Sequence, residues 1–245
     1  MAPFQTAQLS APAPAPLVDL QDVVVNLASA AGTVNVLRGL NLTADPGERL
    51  GVVGPSGSGK TTMLMVMAGL ERATSGRIVM AGEDLAPMSE DQLANFRLRR
   101  LGIVFQSFHL IPTMTALENV AMPLEFAGAA DAFDRAAQAL EQVGLGHRLT
   151  HYPGQMSGGE QQRVAVARAF VGEPDLLLAD EPTGNLDAAT GDVVIDLLFD
   201  MAARHGSTLV LITHDEKLAA RCDRKVTIRD GRVVDDGRIR LEAAQ

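Results

Sequence analysis

Apolar and polar positions partly alternate over residues 17–25 and again over 34–42, with Ala30-Ala31-Gly32 between them. Successive side chains of a strand point to opposite faces, so the pattern predicts two strands, each with one covered face, paired antiparallel across a short loop. After the turn Asp45-Pro46-Gly47 the pattern becomes a solid apolar run, Leu50-Gly51-Val52-Val53, then a glycine-rich stretch, then the apolar segment 63–70. That order predicts a buried strand turning into a helix. Thr74-Ser75-Gly76 breaks into another strand over 77–80. A helix is expected around 89–100, whose basic end, Arg97, Arg99 and Arg100, reads as a solvated face or as partners for carboxylates. Residues 102–106 form a short buried strand ending on the polar Gln106. The stretch 107–112 is apolar yet contains Pro112, so it reads as a loop whose hydrophobic groups either tuck into the core or make a receptor for something else.

Helical periodicity follows over 116–126, with Pro123 expected to bend or end it, and over 132–143. Ser157 has the chemistry of a helix N-cap and opens a further helix through Phe170. Gly158 and Gly159 in its first turn leave that helix end bare, although a glycine there costs roughly 1 kcal/mol against alanine, which suggests close approach by another group. Two buried strands are expected over 175–180 and 208–213, ending at titratable residues, Asp180-Glu181-Pro182 and His214-Asp215. A closing strand and hairpin are expected over 225–234, and nothing marks structure from Asp235 onward. Strands apolar throughout are covered on both faces, so the chain reads as α/β with a doubly wound sheet and a helical insert over about 107–172.

At 245 residues and 47% hydrophobic content the chain has material for a substantial core. Residues 1–16 are Ala/Pro-rich and are expected to form a disordered or extended tail, with one domain over 17–245. Lys and Arg number 21 against 30 acidic residues, a net charge of −9, so no nucleic-acid partner is expected. The single cysteine, Cys222, excludes an internal disulfide framework and a cysteine-based zinc site. No apolar run approaches the roughly 20 residues of a membrane span, and the first residues lack the parts of a secretory signal, so a cytoplasmic location is expected.

The candidate chemistry lies where the strands end. Gly54-Pro55-Ser56-Gly57-Ser58-Gly59-Lys60-Thr61-Thr62 is a GxxxxGK[ST] loop between a strand and a helix. Its glycines let backbone N–H groups curl around phosphates, the helix adds its positive end, Lys60 adds a charge, and Thr61 offers a hydroxyl to magnesium. Asp180 is suited to hold magnesium and Glu181 to polarise a water for attack on a γ-phosphate. His214, at the end of another core strand, is placed to hydrogen-bond the terminal phosphate or the attacking water. Ser157-Gly158-Gly159 is a second anion-facing helix terminus.

With these pieces in order the chain resembles the ATP-binding subunit of an ABC transporter over essentially 17–237. The decisive piece is Met156-Ser157-Gly158-Gly159-Glu160-Gln161-Gln162-Arg163, which resembles the signature motif of that ATPase class. Gln106 matches the Q-loop glutamine, which also reaches the metal, Asp180 the Walker B aspartate, Glu181 the catalytic glutamate, Asn185-Leu186-Asp187 the D-loop, and His214 the switch histidine. The resemblance implies a P-loop NTPase (RecA-like) core with an antiparallel β subdomain and a helical signature-motif subdomain. It implies ATP and Mg2+ as ligands, and two copies paired head to tail so that the 54–62 loop of one and Ser157-Gly158-Gly159 of the other, with Asp187 near the contact, cover the same ATP. It also implies integral membrane permease subunits, which would hold the chain on the inner face of the cell membrane. The 105–114 region and the helix after it resemble the groove that receives a permease's coupling helix. The family usually sets an aromatic near the end of the first strand to stack on adenine, and Leu27 stands in that place here. Within the family, VFQSFHLIPTMTALENV, MSGGEQQRVAVARAF and LLADEPTGNLD resemble the lipoprotein-release, macrolide-export and cell-division group, nearest to its YbbA-like members, which move or extract lipid-like or hydrophobic substrates. The competing class is an ABC-type ATPase acting on DNA or ribosomes. It would carry a long coiled coil between Lys60 and Ser157, or two cassettes in one chain, and this sequence has neither.

Overall fold

The two alternating runs form β1 (Val18–Ser29) and β2 (Gly32–Ala44), paired antiparallel with Leu20 opposite Leu42 and Val25 opposite Leu37. In this computed structural model residues 15–29 and 32–238 are described; the expected tail over 1–16 therefore lies almost wholly outside the described residues. Both strands run further toward their connection than the alternation reaches, because pairs such as Asn26 with Asn35 and Ala28 with Thr33 need only the backbone ladder and bury no apolar face.

Next come β3 (Arg49–Val53), α1 (Lys60–Met67), β4 (Ser75–Met80), the two-residue β5 (Glu83–Asp84), α2 (Glu90–Arg100) and β6 (Leu101–Phe105). Helix α2 starts on a reciprocal cap in which the Ser89 hydroxyl accepts from Gln92 N–H and the Gln92 side chain accepts from Ser89 N–H. Its arginines are spent within the chain: Arg97 donates to Gly69 O at 2.8 Å, Arg99 to Asn95 O at 3.3 Å, and Arg100 pairs with Asp175 at 2.7 Å. Helices α3 (Ala116–Phe126) and α4 (Ala132–Gln142) match the periodicity, and α3 passes through Pro123 without ending there.

Then follow α5 (Gly158–Phe170), β7 (Leu176–Asp180), α6 (Ala188–His205), β8 (Thr208–Ile212), the short α7 (Glu216–Ala219), β9 (Arg224–Arg229) and β10 (Arg232–Arg238). Strand β10 continues four residues past Val234, where the pattern predicts nothing. Charge holds it there. Asp236 accepts from the buried Arg224 at 2.6 Å, and Arg224 also donates to Thr43 O at 2.8 Å, tying the closing hairpin back to β2.

One sheet has the order β2-β1-β4-β5 and the other β10-β9-β3-β8-β7-β6, with β9 through β6 parallel. The apolar strands serve two cores at once. Leu177, Ala179, Leu209 and Leu211 face the cluster formed with α3, α4, α5 and α6. Their neighbours Leu176, Leu178, Val210 and Ile212 face the cluster formed with α1, α2 and the antiparallel sheet. That double duty is why β7 and β8 show no alternation. Cys222 is buried in the first cluster, and burial pushes its thiol up to about 12.

Candidate functional site

The neighbours β3-β8-β7-β6 bring four strand ends side by side, so the glycine-rich turn after Val53, His214, Glu181 and Gln106 share one edge of the sheet. Adjacent strands lie about 4.7–4.9 Å apart, and ligands of open α/β sheets bind at this carboxyl edge.

On β3 the turn winds tightly. Gly54 has φ 153°, and a Cβ there would lie 2.1 Å from the Ile228 carbonyl oxygen, so only glycine fits. Gly59, at φ 102°, is the N-cap of α1 and supplies no side-chain cap. The first helical bond runs from Met63 N–H to Gly59 O at 2.8 Å, which leaves the N–H groups of Lys60, Thr61 and Thr62 without an intrahelical acceptor at the positive end of the helix. Lys60 reaches back over the loop, its Nζ donating to Gly54 O at 2.8 Å and Pro55 O at 3.0 Å. Ser58 Oγ is buried with no hydrogen-bond partner among the described residues. These groups surround a cleft of about 290 Å³ lined by Val36, Gly57, Gly59, Lys60, Thr61 and Thr62. Bare N–H groups, a lysine and an unsatisfied hydroxyl fit a phosphate ligand. Leu27 packs against the core, and the apolar side chain lining the cleft is Val36.

Thr61 Oγ1 donates to Asp180 Oδ2 at 3.0 Å, joining residues 119 apart in sequence. Burial pushes the Asp180 carboxyl above its usual range; the Thr61 bond opposes that, neighbouring Glu181 adds to it and Lys60 opposes it. Glu181 sits at φ 45°, a left-handed conformation that costs a non-glycine residue about 1–3 kcal/mol. Its N–H is held by Ile212 O at 2.9 Å and its carbonyl by Gly184 N–H at 3.0 Å, and its carboxylate meets His214 Nδ1 at 2.8 Å. Thr61 and Asp180 form an oxygen pair of the kind magnesium uses, since that ion takes few protein ligands and fills its shell with water and phosphate oxygens. Among the described residues no cluster of three or more His, Cys, Asp or Glu could hold a metal ion. Gln106 is not bonded to this pair: its Nε2 donates to Asn185 Oδ1 at 3.2 Å, and Asn185 Nδ2 returns a bond to Gln106 O at 3.0 Å.

The second anion-facing terminus is capped more fully than its glycines suggest. Glu160 N–H donates to Ser157 Oγ at 3.3 Å, while Ser157 N–H donates to the Glu160 carboxylate at 2.8 Å. The first helical bond is Gln161 N–H to Ser157 O, so the Gly158 and Gly159 N–H groups remain without an intrahelical acceptor. The close approach at Gly159 comes from the chain itself: a Cβ would lie 2.3 Å from Thr190 Cγ2. Asp187 caps α6, accepting from Thr190 N–H at 3.0 Å and Thr190 Oγ1 at 2.7 Å, and the Thr190 bonds hold its carboxyl below the usual range. Gly159→Ala is therefore expected to destabilise by about 1–3 kcal/mol, the usual cost of overpacking. Thr190→Ser, which keeps the hydroxyl and removes Cγ2, should recover most of that loss in the double variant by thermal melting. Equal loss with and without Thr190→Ser would place the clash elsewhere.

Gln162, expected only as one residue of the signature stretch, has a role of its own. Fully buried on α5, it donates through Nε2 to Phe105 O at 3.2 Å and to Pro182 O, so one amide ties the signature helix to the strand before Gln106 and to the loop after Glu181. A buried glutamine amid apolar helix positions is the signal that could find it.

Comparison with known proteins identifies the family. A family model described as "ABC transporter" matches residues 37–184. The chain is 51% identical over 222 residues to a lipoprotein-releasing system ATP-binding protein LolD of Geobacter metallireducens, covering 90% of this chain and 99% of that one. It is 47% identical over 222 residues to an uncharacterized ABC transporter ATP-binding protein YbbA of Escherichia coli K12, covering 90% and 97%. A dimeric ATP-binding cassette solved in a post-hydrolysis state with ADP and Pi superposes with a TM-score of 0.84 at 36% identity, covering 91% of this chain and 99% of that one.

Proposed function

Since this chain belongs to the ABC transporter family, as an ATP-binding subunit of the LolD-like type, we propose that two copies close around two ATP and, on hydrolysis, drive a membrane permease that exports or extracts lipid-like or hydrophobic substrates. One observation carries the reading: the Thr61–Asp180 bond joins the phosphate loop to the strand that bears Glu181, and Glu181 meets His214. Binding and proton-accepting groups at the ends of three strands, β3, β7 and β8, are thereby linked.

The residues divide the work. The 54–62 loop and Lys60 hold the β- and γ-phosphates. Thr61 and Asp180, with Gln106 at the edge, hold magnesium, which when bound neutralises charge on the phosphoryl oxygens. Glu181 accepts a proton from the attacking water, and His214 keeps the carboxylate turned toward it. The bare N–H groups of Gly158 and Gly159 from the second copy close over the γ-phosphate, with Asp187 beside the contact. Loss of the γ-phosphate releases the two faces, and the permease uses that motion.

For the permease we assign the apolar groove of about 400 Å³ that includes Phe105, His109, Met122, Pro123 and the exposed Phe126. No helix among the described residues is long and apolar enough to cross a membrane. We assign attachment to the inner face of the membrane to that partner. The helices α3 to α5 act as the signature-bearing subdomain over about 107–172 of the domain 17–245.

Copurification tests the partner. Tagged Glu181→Gln recovered with ATP from solubilised membranes should bring a permease with it, whereas ribosomes or DNA in the eluate would favour the non-transport class. A second expectation concerns the base. With Val36 rather than an aromatic ring lining the cleft, about 0.5–1.5 kcal/mol of stacking is forgone, and GTP should displace a labelled ATP analogue within about tenfold of the ATP concentration needed. Preference for ATP above about a hundredfold would mean that other groups grip the base.

A further inference from the structure

The turn that follows Gln106 is held in a conformation that its residues do not favour. Phe108 and His109 have φ 56° and 49°, a left-handed region costly to any residue with a Cβ, and they adopt it consecutively. His109 N–H closes back on Ser107 O at 2.5 Å. The Phe108 and His109 carbonyls are both taken by one guanidinium, Arg168 on α5, at 2.8 and 2.6 Å. Arg168 is half-buried at the groove, and burial holds its pKa below the usual range. A planar fork of donors suits two adjacent carbonyls, and a charge withdrawn from water needs such partners.

The turn is coupled in both directions. His109 stacks edge-on against Phe105 with ring centroids 4.9 Å apart, and Phe105 directly precedes Gln106. Gln106 in turn lies over the loop after Glu181, where a Cβ on Gly184 would come within 2.6 Å of its Nε2. On the other side, His109 and Arg168 are themselves walls of the groove. The helix that carries Ser157 at its start therefore also carries, three turns on, the group that fixes the turn beside Gln106.

We infer that Arg168 is a positioning residue for ATP hydrolysis: its fork on the Phe108 and His109 carbonyls keeps the turn wound and thereby keeps Gln106 over the Glu181 loop. This rests on the assignment of Gln106 to the ATP site.

The test uses the purified full chain and its Arg168→Met and Arg168→Lys variants, followed by steady-state ATPase assay, ATP binding, and amide hydrogen exchange over 106–110. Arg168→Met should leave the ATP dissociation constant within about twofold while kcat falls about ten- to a hundredfold, the signature of misplacement rather than lost binding. Exchange over 106–110 should quicken while that of α1 stays unchanged. Arg168→Lys, which keeps a charge and donors without the planar fork, should recover part of kcat, and it carries the same comparison if the Met variant does not fold. Unchanged exchange over 106–110, or a fall in ATP affinity and melting temperature matching the fall in kcat, would overturn the role. Absence of hydrolysis in the parent chain would instead refute the proposed function, and exchange over 106–110 would still report on the fork.

Discussion

Glu181→Gln should lower kcat for ATP hydrolysis by roughly 10²–10⁴-fold, the usual contribution of a positioned general base, with ATP affinity retained. The substitution keeps the side chain's size and leaves an oxygen able to meet His214 Nδ1, so the 2.8 Å contact and the left-handed backbone at residue 181 have no reason to change. What is lost is the capacity to take a proton from water. Single-turnover and steady-state assays read this directly. Near-normal turnover would remove Glu181 from the proton-accepting role.

Ser157→Arg should abolish ATP-dependent dimerisation in the Glu181→Gln background while leaving nucleotide binding by the single chain intact. In the proposed dimer the 54–62 loop holds the nucleotide within one copy, and the face presented by Ser157, Gly158 and Gly159 would meet it only from the other. Ser157 also caps α5 with Glu160, so any replacement carries a stability cost of about 0.5–2 kcal/mol. Ser157→Ala removes the cap without adding bulk and separates the two effects. It should melt lower, by about 2–4 °C per kcal/mol, and still dimerise. Parallel loss of binding and dimerisation in Ser157→Arg would argue that the residue serves its own chain only.

Much of this was legible in the sequence because the site is assembled from strand ends. Leu50 to Val53, Leu176 to Ala179 and Leu209 to Ile212 are apolar enough to declare buried strands, and the residues that stop them, Gly54, Asp180 and His214, are the ones that the parallel sheet brings together. Helix α6 was not expected from the sequence: Asp187 caps it and Val194, Ile195, Leu198, Phe199 and Ala202 form one buried face, but Thr190 and Gly191 in its first turn are weak helix formers. Other features had no pattern to betray them. Strand β10 beyond Val234 is held by an arginine and a carboxylate rather than by apolar faces. Gly159 is a glycine because Thr190 lies against it, a neighbour thirty-one positions away that spacing alone does not reveal. Gln162 and Arg168 act through donors placed on backbone carbonyls of distant loops, and any sequence can supply a carbonyl.

In the proposed function each ATP site is shared between two copies of the chain. The mass of Glu181→Gln in solution, measured by sedimentation equilibrium with saturating ATP and then with ADP, tests it most directly. Twice the chain mass of 25.9 kDa is expected with ATP and the single-chain mass with ADP. A single-chain mass at saturating ATP, with nucleotide bound, would contradict it.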